Sequence, residues 1–184
     1  CSPGAGARAG RRHADQGADA LRLAPPLLGD TARFLGSSRE GMGGMFAVLN
    51  RNKRSLALDL KGEEDMEIFE RLVATADVVL ENYRPGIMQK LGIDYASLTE
   101  INRQLIYVSV SGYGQDGPYK NRRVYDPRIQ ATTGLAHAQG MEEPRNVQSI
   151  VFDKITGMTA AQAVTTALLQ REKTGQGQYL PVSM

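Results

Sequence analysis

One aspartate carries the clearest chemical potential in this sequence. Asp153 sits where the apolar run Val147 to Phe152 gives way to the small-residue stretch Lys154-Ile155-Thr156-Gly157, which predicts a strand-to-helix turn. From Met158 to Arg171 the chain is rich in Ala and Leu and has no Pro or Gly, a pattern that favours a helix with Asp153 just before its N-terminus. The helix dipole there contributes roughly 0.3–1 kcal/mol to an anion, less than the ~1.4 kcal/mol equal to one pKa unit. No large shift is needed. An Asp with an ordinary pKa near ~3.9 is ionised at neutral pH and, unlike Ser, attacks an acyl carbon without a general base. The alternative is an ordinary N-cap, which the local sequence by itself favours.

The elements that would hold such a carboxylate read as an α/β fold. From Ser55 onward, short apolar segments alternate with longer helical ones, the signature of a Rossmann-like open parallel sheet with crossover helices. Ser55 to Leu60, Asp77 to Leu80 and Leu105 to Val110 are the strand candidates. A helix begins near Glu63, with acidic residues in its first turn and Met66, Phe69 and Val73 on one face. Tyr83-Arg84-Pro85-Gly86 opens a loop, and the long loop Ser111 to Lys120 leads to a helix after Tyr125-Asp126-Pro127. Before Ser55 the chain reads as loop-rich. The basic, Gly/Ala-rich residues 1–13 read as a disordered tail, and the final Tyr179 to Met184 reads as a strand cut off in mid-course.

In an open parallel sheet, ligands bind beyond the carboxyl ends of the strands. Lys61, Asn82 to Arg84, Arg123 to Asp126 and Asp153 each follow a strand or the loop leaving one. Basic side chains at such ends suit a phosphorylated ligand, although surface charge alone accounts for any one of them.

Composition excludes several other chemistries. Twenty-two basic and twenty acidic residues give a net charge of +2, too balanced to point to nucleic acid or a membrane surface. One cysteine, at position 1, excludes an internal disulfide framework and a cysteine-rich zinc site. His13 and His137 stand apart without ligand or triad patterning. No apolar run reaches the roughly eighteen residues of a membrane span, and no secretory segment is evident, so cytoplasm is the default expectation.

Several segments, taken in order, resemble the class III CoA-transferase family of CaiB/BaiF type, which includes formyl-CoA transferase, carnitine CoA-transferase and α-methylacyl-CoA racemase. They are Asn52-Lys53-Arg54-Ser55-Leu56-Ala57-Leu58-Asp59-Leu60-Lys61, Asp77-Val78-Val79-Leu80-Glu81-Asn82-Tyr83-Arg84-Pro85-Gly86, Gly112-Tyr113-Gly114 with Gly117-Pro118, and Asp153 leading to Thr174-Gly175-Gln176-Gly177-Gln178. The resemblance makes Asp153 the nucleophile, outweighing the cap. It implies attack on an acyl-CoA thioester to give a mixed anhydride, then an aspartyl-CoA thioester that a free carboxylic acid discharges. Water must be excluded and no tightly bound cofactor or metal is implied.

The same resemblance assigns coenzyme A contacts to Leu58, Asp59, Leu60 and Lys61, to Asn82, Tyr83 and Arg84, to Lys90, and to Arg123 with Tyr125. Lys90 stands where Arg is common, exchanging a bidentate grip for a point charge. Asp126 matches an acidic position near the reaction centre, with a helix-start cap before Pro127 as the alternative. Racemase members carry a histidine where this chain has Tyr125, which favours transferase over racemase. A non-catalytic CoA-binding fragment is the third reading. Residues 1–12 cannot supply the family's opening apolar strand, and Arg22 to Pro26 lacks the acidic and basic residues often found there. The expected organisation is therefore a tail over 1–13 and a partial large domain over 14–184. Full-length members add a small domain and interlock as homodimers.

Overall fold

The structure is a computed structural model that describes residues 4–27 and 29–184. The chain begins with helix α1 (Gly4–Asp15), then strand β1 (Ala20–Ala24) and a single 3₁₀ turn (Thr31–Phe34). A small hairpin, β2 (Ser38–Arg39) and β3 (Met42–Gly43), leads into α2 (Gly44–Asn50) and β4 (Lys53–Ala57). Then come α3 (Glu63–Val73), β5 (Val78–Glu81), α4 (Ile87–Lys90), α5 (Tyr95–Ile101) and β6 (Ile106–Ser111). The remaining elements are α6 (Asp126–Thr132), α7 (Leu135–Gln139), α8 (Val151–Thr174) and β7 (Gln178–Ser183).

The expected parallel α/β architecture with crossover helices is present, as two ladders. β1 pairs with β4, and β5, β6 and β7 pair in that order, all in parallel. β6 is central, and all six of its residues are buried, as expected of a strand covered on both faces. Its side chains alternate between two cores. Ile106, Val108 and Val110 face Ala160, Ala161, Val164 and Ala167 of α8 and Ala5 and Ala9 of α1. Tyr107 faces the other way, toward Phe69, Val73, Met88, Ile93 and Leu98. β5 and β6 are thus clamped between helical layers.

Local signals explain most boundaries. Glu63, Glu64 and Asp65 occupy the first turn of α3 and Arg71 its last, matching the helix dipole. Asp94 caps α5 by accepting the Ser97 backbone N–H. α8 ends at Gly175, whose φ of 69° suits a left-handed C-terminal residue.

The amino-terminal expectation is overturned. Residues 4–15 form a helix, not a disordered tail, while residues 1–3 lie outside the described residues. Composition misled because a Gly/Ala-rich segment can still pack when small side chains are what a close helix crossing requires. Gly4, Ala5, Gly6, Ala9 and Ala14 are buried, and α1 lies directly against α8. Lys53 ties the helix to β4 by donating from Nζ to the Ala7 carbonyl at 2.8 Å. Nor is the region before Ser55 simply loop: it contributes β1 and, from residue 53, β4.

Candidate active site

Asp153 is buried, with 1 % of its surface exposed, and lies in the first turn of α8. This corrects the expected strand-to-helix turn. Val147 to Phe152 forms no strand, and the helix has already begun at Val151. Side chains rather than a ladder satisfy the approach. Gln130 accepts the Val147 N–H at 2.8 Å and donates to the Ser149 carbonyl at 3.0 Å.

Asp126 completes this clamp from α6. It is equally buried and is the first residue of α6 rather than its cap, the cap position falling to Tyr125. Its Oδ2 accepts the Asp153 backbone N–H at 2.9 Å and its Oδ1 accepts Gln130 Nε2 at 2.6 Å. The expected cap is real but acts on a different helix: Ile150, at the cap position of α8, makes no side-chain cap bond, and Asp126 supplies one.

The start of α1 forms the opposite wall. A Cβ added at Gly4 would lie 3.1 Å from Asp153 Cγ and 3.2 Å from each carboxylate oxygen. One at Gly6 would lie 2.8 Å from Leu80 Cδ2 and 3.3 Å from Asn82 Cβ. The first turn of α1 therefore wedges between α8 and the end of β5, with Asp153 against Gly4 and Asn82 against Gly6. One turn further on, Gly157 of α8 meets Arg8, where a Cβ would lie 2.7 Å from Arg8 Cβ. Burial pulls the Arg8 guanidinium below its ordinary pKa, opposed by the nearby carboxylates of Asp153 and Asp126.

The other expected site residues are spread along the loops. Leu58 packs its side chain into the core, so only its backbone faces the turn that follows. Asp59 shapes that turn, accepting the Lys61 N–H at 3.2 Å. Leu60 is half-buried, and Lys61, Tyr83, Arg84 and Lys90 are exposed. Among the described residues no hydrogen bond or ion pair joins the side chains of Lys61 or Lys90 to the Asp153 cluster. Arg84 lines a cleft of about 230 Å³ with Glu81, Ser109, Gln115 and Tyr179. Burial pushes the Glu81 carboxyl above its ordinary pKa, while hydrogen bonds from Ser109 and the Tyr83 N–H work against this. Arg123 lines a second, more open cleft of about 560 Å³ with Tyr113, Tyr119, Arg122 and Arg128, and Tyr125 is exposed nearby in sequence.

Sequence reasoning missed Gly4, Arg8 and Gln130 near Asp153 and Asp126, and Arg122 and Arg128 in the arginine-lined cleft. The small-residue spacing of Gly4, Ala5 and Ala9 was the signal for the first two. It reads as disorder unless the partner helix is known.

The arrangement is a buried carboxylate whose own backbone is pinned by a second carboxylate, with clefts carrying cationic side chains at the strand ends. Among the described residues no helix is long and apolar enough to cross a membrane. The family model described as "CoA-transferase family III" matches residues 1–184. The chain is 39% identical to an acetyl-CoA:oxalate CoA-transferase of Acetobacter aceti, covering 92% of this chain and 44% of the relative. It is 36% identical to a succinate–glutarate CoA-transferase of Agrobacterium fabrum, covering 98% and 47% respectively. The crystal structure of a CAIB/BAIF family protein from Brucella suis superposes with a TM-score of 0.92 at 39% identity, over 97% of this chain and 49% of that one. The chain thus spans about half the length of the relatives it matches. Matched along its whole length, the chain belongs to CoA-transferase family III.

Proposed function

We propose that this chain carries the nucleophile of an enzyme that moves coenzyme A between an acyl-CoA and a free carboxylic acid, through a thioester on Asp153. The observation that carries this reading is the near-complete burial of the Asp153 carboxylate in the first turn of α8. An anhydride or thioester formed there is kept from bulk water, so thioester energy passes to the acceptor instead of being lost to hydrolysis.

The steps balance without a redox or metal partner. An Asp153 oxygen attacks the acyl carbon, the carbon–sulfur bond breaks and CoA leaves as thiolate. The thiolate then attacks Cγ of Asp153, expelling the acid as its carboxylate with one former aspartate oxygen. Asp126 holds the Asp153 backbone while its neighbour's side chain reacts. First-turn amides of α8 favour negative charge developing at Cγ. Coenzyme A reaches the site along Leu58 to Lys61 and Asn82 to Arg84, with Lys61, Arg84, Lys90 and Arg123 as cationic partners for its phosphates and Tyr125 beside Asp126.

The relatives named for oxalate, succinate and glutarate make small dicarboxylic acids the first acceptors to try. The test is the intact mass of the full-length protein after incubation with acetyl-CoA or succinyl-CoA, alongside Asp153→Ala. A CoA adduct on wild type that hydroxylamine removes, and that the variant lacks, supports the reading. A folded, CoA-binding wild type that never acquires the adduct overturns it.

A further inference from the structure

Arg8 is unused in that scheme, yet it lies where the travelling charge would be felt. Arg8 stands one turn after Gly4 on α1, and Gly157 one turn after Asp153 on α8. Gly4 abuts the Asp153 carboxylate and Arg8 Cβ abuts Gly157, so the two helices run side by side through both contacts. Residues one turn apart have Cβ positions separated by about 5–6 Å. Helical side chains also lean toward the N-terminus of their own helix, which aims Arg8 from Gly157 back toward Asp153. The guanidinium lies close enough to feel the charges of Asp153 and Asp126. Arg8 Nε is buried and has no hydrogen-bond partner among the described residues.

The chemistry changes what faces this cation. Before reaction, Asp153 is a carboxylate and the acyl group is a neutral thioester. Afterwards, Asp153 is the neutral thioester and the acid has become a free carboxylate. The site's net charge is conserved, but its location moves. A cation held in a partly desolvated place is costly without a partner.

We infer that Arg8 is the counter-ion for the carboxylate that the reaction passes back and forth: it faces Asp153 in the resting protein and binds the carboxylate of the free acid once Asp153 is a thioester. This rests on the aspartyl-CoA reading above and extends it to recognition of the acid. Arg8 is thereby a substrate-binding residue, and its five-donor fork matches a carboxylate bidentately.

The test uses the full-length protein, loaded with CoA by whichever acyl-CoA labels it and then freed of excess reagent. Discharge of the adduct is followed against concentration of the matching free acid for wild type, Arg8→Lys and Arg8→Met. The expected result is a half-saturating acid concentration raised about ten- to a hundredfold in Arg8→Met and raised less in Arg8→Lys. The acyl-CoA concentration needed for loading should rise by a clearly smaller factor, because the thioester carbonyl carries no charge for Arg8 to pair. Equal acid dependence in all three proteins overturns the inference while leaving the thioester route intact, as does a parallel rise in both concentrations. Should Arg8→Met not fold, unchanged acid dependence in Arg8→Lys overturns it alone, because the charge remains but the fork is lost. A wild type that never forms the adduct removes the parent reading and this one together.

Discussion

The side chain of Asp126 accepts the backbone N–H of Asp153 at 2.9 Å, so one buried carboxylate fixes the main chain of another. The residues are 27 apart in sequence and begin different helices. The two carboxylates are joined through an amide rather than through a shared proton. Asp126 thus acts as a cap delivered across a helix junction, held in turn by Gln130.

Removing that cap should loosen the start of α8 and misplace Asp153, the proposed nucleophile, together. Asp126→Ala is expected to cost about 0.5–2 kcal/mol for the lost cap and to slow CoA-adduct formation by roughly a hundredfold through misorientation. Asp126→Asn keeps one acceptor oxygen for two donors and should fall between. Urea melts and adduct rates on the same preparations check this, and an Ala variant matching wild type in both would exclude the capping role.

Gly4→Ala tests the wall facing Asp153. The added methyl would lie 3.1–3.2 Å from the carboxylate atoms, so either the carboxylate or the helix start must yield by a few tenths of an ångström. Stability should change little, since Ala is the better helix former by about 1 kcal/mol. Adduct formation should slow by several-fold or more, up to about a hundredfold if the displacement approaches 1 Å. Unaltered kinetics would mean that the site absorbs the methyl freely.

For Gly157→Ala the structure and helix propensity predict opposite signs. Propensity alone gives a gain of about 1 kcal/mol for a position inside a helix, as Gly157 is in the second turn of α8. The new Cβ, however, would lie 2.7 Å from Arg8 Cβ and 3.0 Å from the Ala5 carbonyl, prising α1 from α8. A net loss of about 1–3 kcal/mol is expected. A thermal melt decides the sign, and a raised midpoint would show that α1 is not locked at this crossing.

Lys53 makes stability depend on alkaline pH. Burial, then neighbouring Arg22, lowers its pKa from 10.5 to about 8. Below about 8, the folded and unfolded chains both carry the proton and the burial penalty is constant. Between about 8 and 10.5, the unfolded chain keeps a proton that the folded one has shed, so the folded state gains as pH rises. Unfolding free energies of wild type and Lys53→Met at several values from pH 7 to 10 isolate this residue. The wild type should gain relative to the variant only above about pH 8, by at most about 1.4 kcal/mol per pH unit. A constant difference would place its titration back at the ordinary value.

Much of the fold was legible because its signals are local. β6 reads as a strand from its apolar run, α3 from its acidic first turn and apolar face, and α8 from its Ala/Leu stretch, because propensity and period act over neighbouring residues. The nucleophile candidate and the family were legible from ordered motifs, and the family match covers the whole chain. The wrong strand before Asp153 came from apolar residues alone: a connector held by the Gln130 side chain looks the same as a strand when its partners are distant in sequence.

The sequence by itself therefore determined the residue types, the parallel α/β plan and the order in which Asp126 and Asp153 enter helices. Only the tertiary structure decided that Asp126 caps α8 instead of α6, that Gly4 faces the Asp153 carboxylate, and that residues 4–15 fold as a helix placing Arg8 against Gly157. The reason is physical. Capping across a junction and close crossing at small residues depend on the distance between elements far apart in the chain, and a Gly/Ala-rich segment becomes ordered only when another helix presents a surface close enough to bury it.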